Sequence, residues 1–240
     1  MLRFQVVAFD ADDTLWHNEK YYVEAQSGFR DVVGSFATPE VIDRELQQAE
    51  MRNLPLYGYG IKGFALSMIE TAVRLSDGKV PGPDVMRIIR LARDLLDAGV
   101  ELLDHASAVI PLLARSFPLM LVTKGDLRDQ ESKIARSGLS EYFRHVEILS
   151  GKEQGNYAAL LRRHGVPAEK FIMVGNSLRS DIWPVLRLGA AAVYVPHHFA
   201  WAHEAAEPPA PTHPGYHAIE HLGFLPDLLE RLVGGLAGSL

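Results

Sequence analysis

The chain has 240 residues, 48% of them hydrophobic and 22% charged, which is enough apolar side chain for a sizeable core and argues against wholesale disorder. Its 24 Lys and Arg against 30 Asp and Glu leave a formal net charge of -6, so the basic footprint of a phosphate-backbone binder is missing and no nucleic-acid partner is expected. There is no cysteine, which excludes disulfide staples, thiolate metal sites and thiol nucleophiles.

At roughly 150 residues per domain, the length suits one large domain or a core carrying an insertion. The start, MLRFQVVAFD, meets charges at Arg3 and Asp10 without a long apolar stretch, and no later apolar run reaches the roughly 18 residues of a membrane span. No leader and no membrane partner are expected, and the cytoplasm is the expected location.

Phe4 to Phe9 is a short apolar run that ends abruptly in acids, as a strand buried on both faces would. From His17 to about Gly99 the pattern is helical throughout and predicts about four helices. Thr38 before Pro39 reads as a cap and first turn. Val85, Ile88, Ile89, Ala92, Leu95 and Leu96 recur at the spacing of an amphipathic helix. Further buried-strand runs follow at Leu119–Thr123, Phe171–Val174 and Ala191–Val195, with a weaker one at His145–Leu149. Helical patterns ending in glycine separate them, at 127–137 before Gly138 and 158–164 before Gly165. The alternation predicts an α/β fold with a mostly parallel sheet covered on both faces and an all-helical insertion after the first strand. The expected division is a core of residues 1–16 and 103–240 and a helical cap of 17–102. Glu204–Tyr216 reads as a Pro-rich loop and Gly234–Leu240 as a frayed tail.

Asp10, Asp12 and Asp13 crowd three carboxylates into four residues at the end of the first strand. They repel one another unless a cation or hydrogen-bond donors compensate. The carboxyl edge of an open α/β sheet is where such folds bind ligands. Thr123 ends the second strand, and Lys152 and Asp181 follow the third and fourth, so one fold would gather all of them on that edge.

These positions resemble the motifs of the haloacid dehalogenase (HAD) superfamily of hydrolases. Asp10, Asp12 and Thr14 meet its Asp-x-Asp-x-Thr motif, Thr123 its second and Lys152 its third. Asp181 meets half of the fourth, where Asn176 stands in the place of a usual Asp. The helical insertion between the first two motifs is similar to the family's first type of cap. The resemblance implies a Rossmann-like core and a phosphatase acting on a small phosphorylated metabolite through an aspartyl-phosphate. In that scheme Asp10 is the nucleophile and Asp12 the general acid and base. Thr123 and Lys152 bind phosphoryl oxygens, with Lys124 a further substrate-binding candidate. Mg²⁺ is held by Asp10, the main-chain carbonyl of Asp12, Asp181 and, more weakly, Asn176.

Residues 53–63, NLPLYGYGIKG, lie between predicted helices. In the family's caps such a loop contacts the leaving group, which makes Tyr57, Tyr59 and Lys62 candidate specificity residues. By residue type alone the stretch is a tight helix–helix turn. Trp16 and His17 read as a hinge, Asp13 and Arg179 as surface or supporting groups. Six of the ten histidines fall between His197 and His221, but their irregular spacing in a Pro-rich segment reads as a solvated loop rather than a zinc site.

Other readings remain open. A metal-free 2-haloacid dehalogenase-type hydrolase would use Asp10 on carbon and has no need of an acid at Asp12. A receiver-like domain would keep its phosphate-accepting Asp and its acid pair on different strands. A non-catalytic phosphate-binding protein is allowed by Asn176.

Overall fold

The computed structural model describes residues 4–199, 201 and 204–234. The expected tail beyond Gly234 lies outside the described residues, as do Met1–Arg3 and His203. The described chain divides into two compact units, one of residues 1–19, 100–124 and 132–240, the other of 20–99 and 125–131.

The first unit is built on a six-stranded, all-parallel sheet. Its strands are β1 (Val6–Phe9), β2 (Leu119–Lys124), β3 (Phe143–Leu149), β4 (Phe171–Gly175), β5 (Ala191–Tyr194) and β6 (Tyr216–Ala218), in the order β3-β2-β1-β4-β5-β6. Because successive side chains of a strand face opposite sides, the central strands feed two separate cores. Val7 and Phe9, Leu119 and Leu121, and Ile172 and Val174 join one core with Val109, Ile110, Leu225 and Leu229. Val6 and Ala8, Met120 and Val122, and Phe171 and Met173 join the other with Tyr157, Leu160, Ile182 and Val185. Burial on both faces is why these strands read as unbroken apolar runs. The strand β6 begins at Tyr216, the last residue of the loop expected over Glu204–Tyr216. It has three residues, lies on the sheet's edge and buries none of them, so it carries no apolar pattern.

The second unit consists mainly of four helices, α1 (Glu19–Val33), α2 (Pro39–Tyr57), α3 (Ile61–Leu75) and α4 (Gly82–Asp97). They enclose their own core of Phe29, Ile42, Leu46, Phe64, Met68 and Ile88. The stretch 53–63 departs from the expected loop, because Asn53–Tyr57 completes α2 and Ile61–Gly63 opens α3. Gly58 and Gly60 make the turn at φ 73° and 121°, backbone that favours glycine.

Within the first unit the departing and returning segments are tied together. His17 N–H donates to Glu101 O and Leu103 N–H to Leu15 O, both at 2.9 Å, and Trp16 pairs antiparallel with Leu102. The chain therefore leaves and re-enters the first unit at adjacent points. Phe29 is fully buried in the helical core, so Phe29→Ala should lower stability by roughly 3 kcal/mol or more, read by urea unfolding followed by circular dichroism. A loss below about 1 kcal/mol would mean that this core closes readily around the void.

Candidate active site

The groups at the centre of the site lie at or after the ends of strands. Asp10 is the residue after β1, and its N–H donates to Val174 O at 2.9 Å, which fixes the main chain between β1 and β4. Thr123, buried, lies in β2 two places beyond Leu121, the partner of Phe9. Lys152 comes after β3, and Asn176 to Asp181 after β4.

The Lys152 ammonium joins two of these ends. Its Nζ contacts Asp10 Oδ1 and donates to Asp181 Oδ1 at 2.7 Å, and all three side chains are buried. Thr14 Oγ1 lies 3.1 Å from Asp10 Oδ2 and 3.2 Å from Asn176 Oδ1, and accepts the Asn176 N–H at 3.1 Å. Its single proton serves one of the two oxygens at a time. The structure thus brings Asp10, Lys152, Asp181 and Asn176 together, with Thr14 as the link.

Asp181 sits on a π-helical turn, Leu178–Ile182, a distortion often found at functional sites. Its Oδ2 accepts the Ser177 N–H at 3.0 Å. Gly175 makes this approach possible, since a Cβ there would stand 2.3 Å from Asp181 Oδ2. Tyr157, fully buried, adds a hydroxyl close enough to this pair that burial first, then the charges of Asp181 and Asp10, raise its pKa well above the ordinary 10.0.

Electrostatics leaves the trio short of positive charge. Burial pushes the Asp10 carboxyl up to about 7; the Asp181 charge adds to the push and Lys152 opposes it. Burial acts to lower Lys152, but the two carboxylates outweigh it and raise its pKa. One ammonium against two buried carboxylates is an incompletely compensated site. The donors that the structure brings together here are oxygens: the carboxylates of Asp10 and Asp181 and the Asn176 amide oxygen. They fit a hard divalent cation such as Mg²⁺, with one charge fewer than a set containing a third acid.

Asp12 is held by other groups. Trp16 Nε1–H donates to its Oδ1 at 2.8 Å, and Lys133 Nζ lies 3.2 and 3.3 Å from its two oxygens while also donating to Asn18 Oδ1 at 2.8 Å. Trp16 is therefore more than a hinge, being buried in the core and bonded to Asp12. Lys133 carried no sequence signal, since a lysine on an amphipathic helix reads as a solvated one.

Lys124 is engaged by a carboxylate of the chain itself. Its Nζ contacts Glu204 and donates to Ser180 Oγ at 2.7 Å, while Ser177 and Ser180 hydroxyls also donate to Glu204. Glu204 lies in the expected Pro-rich loop, where nothing marked it. Asp13 is a buried acceptor for the first N–H groups of α1 rather than a surface group. Tyr57, Tyr59 and Lys62 belong to the helical unit; Tyr57 and Lys62 are exposed, and Lys62 Nζ pairs with Asp126 at 2.8 Å.

A family model described as haloacid dehalogenase-like hydrolase matches residues 4–189. A solved haloacid dehalogenase-like family hydrolase from Xanthomonas campestris is 34% identical, with 99% of each chain covered and a TM-score of 0.87. A 2-haloacid dehalogenase from Pseudomonas syringae pv. tomato DC3000 is 23% identical over 95% of this chain and 99% of its own, with a TM-score of 0.64. A HAD phosphatase from Thermococcus onnurineus is 17% identical over 94% and 98%, with a TM-score of 0.60. Among curated proteins, no sequence matches the chain.

Glu204 generates a test of its own. Burial acts to raise its carboxyl from 4.5, but Lys124, Ser177 and Ser180 outweigh burial and hold it at about 2. A carboxylate whose pKa is lowered by folding stabilises the fold above its unfolded value and loses that contribution as pH falls toward the folded one. Glu204→Gln should therefore cost on the order of 2 kcal/mol at pH 7 and much less at pH 3. Urea unfolding at both pH values reads this, and an equal loss at the two would show that charge is not what Glu204 contributes.

Proposed function

The chain belongs to the haloacid dehalogenase-like hydrolases, and from that premise we propose that it is a Mg²⁺-dependent phosphatase of a small phosphorylated metabolite. The observation that carries this reading is the pair of buried carboxylates, Asp10 and Asp181, meeting on Lys152 with positive charge still lacking. A site built this way suits a divalent cation and a phosphoryl group together.

Asp10 attacks phosphorus in line and forms an aspartyl-phosphate as the bond to the leaving oxygen breaks. Asp12, fixed by Trp16 and Lys133, gives that oxygen its proton. It then takes a proton from the water that attacks the acyl-phosphate, releasing inorganic phosphate and restoring the Asp10 carboxylate. Lys152 and Thr123 bind phosphoryl oxygens, and Lys152 holds Asp10 in its attacking position. Lys124 serves the substrate through the Glu204 and Ser180 contacts that set its direction. Tyr57, Tyr59 and Lys62 select the leaving group. Mg²⁺, held by Asp10, Asp181, Asn176 and the Asp12 carbonyl, would supply positive charge against nucleophile and phosphate alike. No helix among the described residues is long and apolar enough to cross a membrane; the place proposed for the enzyme is the cytoplasm, with a small phosphorylated metabolite as its partner.

One observation favours a second reading, a metal-free 2-haloacid dehalogenase-type hydrolase. Lys152 already bridges both carboxylates, and Asn176 supplies an amide where another acid would raise the metal affinity. In that chemistry Asp10 attacks carbon, displaces halide and is freed by hydrolysis of the ester.

A screen of sugar phosphates, nucleotides, flavin mononucleotide and phosphoglycolate with and without Mg²⁺, alongside 2-chloropropionate without metal, separates the two. Phosphate release that needs Mg²⁺ is expected; chloride release alone would reverse the assignment. Asp10→Asn should lower turnover by more than about 10³-fold in either case, and retained activity would mean that another group is the nucleophile. Asn176→Asp should tighten Mg²⁺ binding several-fold in activity titrations, and an unchanged half-saturating concentration would remove Asn176 from the metal set.

A further inference from the structure

Asp13 is the third acid after β1, and its chemistry is not accounted for by the site above. Its side chain is 7% exposed, and its oxygens accept the Asn18 N–H at 2.9 Å and the Glu19 N–H at 3.0 and 3.2 Å. Among the described residues its ion-pair contact is with a histidine, His197, rather than with Lys or Arg. Buried carboxylates are ordinarily matched by a cation or a metal.

Two imidazoles stand beside it. One donor atom each of Asp13, His17 and His197 lie within 4.8 Å of one another, and the His17 and His197 rings are 5.8 Å apart between centroids. Asp13 Oδ1 and His197 Nδ1 are separated by 3.6 Å, beyond a hydrogen bond. Two ligands on a tetrahedral ion with bonds of about 2.1 Å stand about 3.4 Å apart. The spacing is that of two groups sharing an ion rather than a proton.

We propose that Asp13, His17 and His197 form a second metal site, for a borderline divalent ion of the Zn²⁺ kind, clasping the segment after β5 to the chain just beyond β1. Two imidazoles and one carboxylate suit such an ion, whereas Mg²⁺ prefers oxygen donors, so the site differs in kind from the oxygen set around Asp10 and Asp181. The main-chain N–H groups of Asn18 and Glu19 already fix the carboxylate, which is the outer-shell support that metal ligands require. Coordination through His197 Nδ1 places the ring proton on Nε2 and gives up the contact of Nδ1 with Phe199 O at 3.0 Å. That contact spans two residues of one exposed segment and is a weak competitor for a metal bond. The histidine run 197–221 thus acquires through the fold what its own spacing lacks, an acid and a second imidazole from residues 13 and 17.

The test uses the full chain, stripped with a chelator and titrated calorimetrically with Zn²⁺ in millimolar Mg²⁺, with Co²⁺ as a visible-absorbance probe in parallel. One equivalent should bind, with ligand-field bands of a nitrogen- and oxygen-ligated Co²⁺. His197→Ala and His17→Gln should each weaken binding by about tenfold or more and diminish the bands, while Asp10→Asn leaves both unchanged. Two histidine variants are used because Asp13 also supports the start of α1 and its loss would confuse folding with binding. Absence of binding, binding that survives both histidine substitutions, or binding lost in Asp10→Asn would each overturn the proposal. The last result would assign the ion to the oxygen set instead.

Discussion

A lysine ammonium lying between two buried carboxylates is the constraint on which the rest of this molecule turns. Removing three charges from water costs several kcal/mol for each ion, and their mutual attraction offsets this only in well-made geometry. Asp10, Lys152 and Asp181 come from the ends of β1, β3 and β4, so the geometry exists only when the sheet has its observed order. Parallel pairing of β1 with β4, matching Val174 to Phe9, brings Asn176 and Asp181 to the level of Asp10. Gly175 then removes the one Cβ that would keep the Asp181 carboxylate away. The same register that packs Val7 and Ile172 into one core and Ala8 and Met173 into the other delivers the acids to the edge.

The helical unit places no demand on that register. Its core is closed by residues such as Phe29, Leu46 and Met68, drawn from its own helices. The chain departs and returns through a short antiparallel contact of Leu15–His17 with 101–103. An insertion anchored at two adjacent points can vary in length or sequence without shifting β1 against its neighbours.

Legibility from sequence followed the physics of each element. Strands β1, β2, β4 and β5 were readable because burial on both faces leaves little but apolar side chains in a short run. Strand β3 was weaker because Arg144, His145 and Glu147 interrupt it on the sheet's edge, and β6 was missed because none of its residues is buried. Asp10, Thr14 and Lys152 were visible through order and spacing. Lys133, Glu204 and the partnership of Asp13 with His197 were not, since each depends on a side chain meeting a residue more than a hundred positions away or within an irregular segment. Periodicity reports which face of an element is buried; it carries nothing about which distant polar group will stand opposite.

Charge count is what divides the chemistries open to this site. With Lys152 contributing one positive charge against Asp10 and Asp181, the buried set stays negative, and a substrate bringing a dianionic phosphate would add to the repulsion unless a divalent cation enters with it. A substrate bringing a single carboxylate and a neutral carbon–halogen bond places far less charge near Asp10, and Lys152 alone comes closer to balancing it. An amide at 176 brings an oxygen without adding negative charge, so a set containing it would hold a divalent cation less tightly than one with a third acid. The decisive group for the phosphate reading is therefore Asp12, because a leaving alkoxide must be protonated whereas a leaving halide need not be. Its carboxylate is held in place by both an indole N–H and an ammonium.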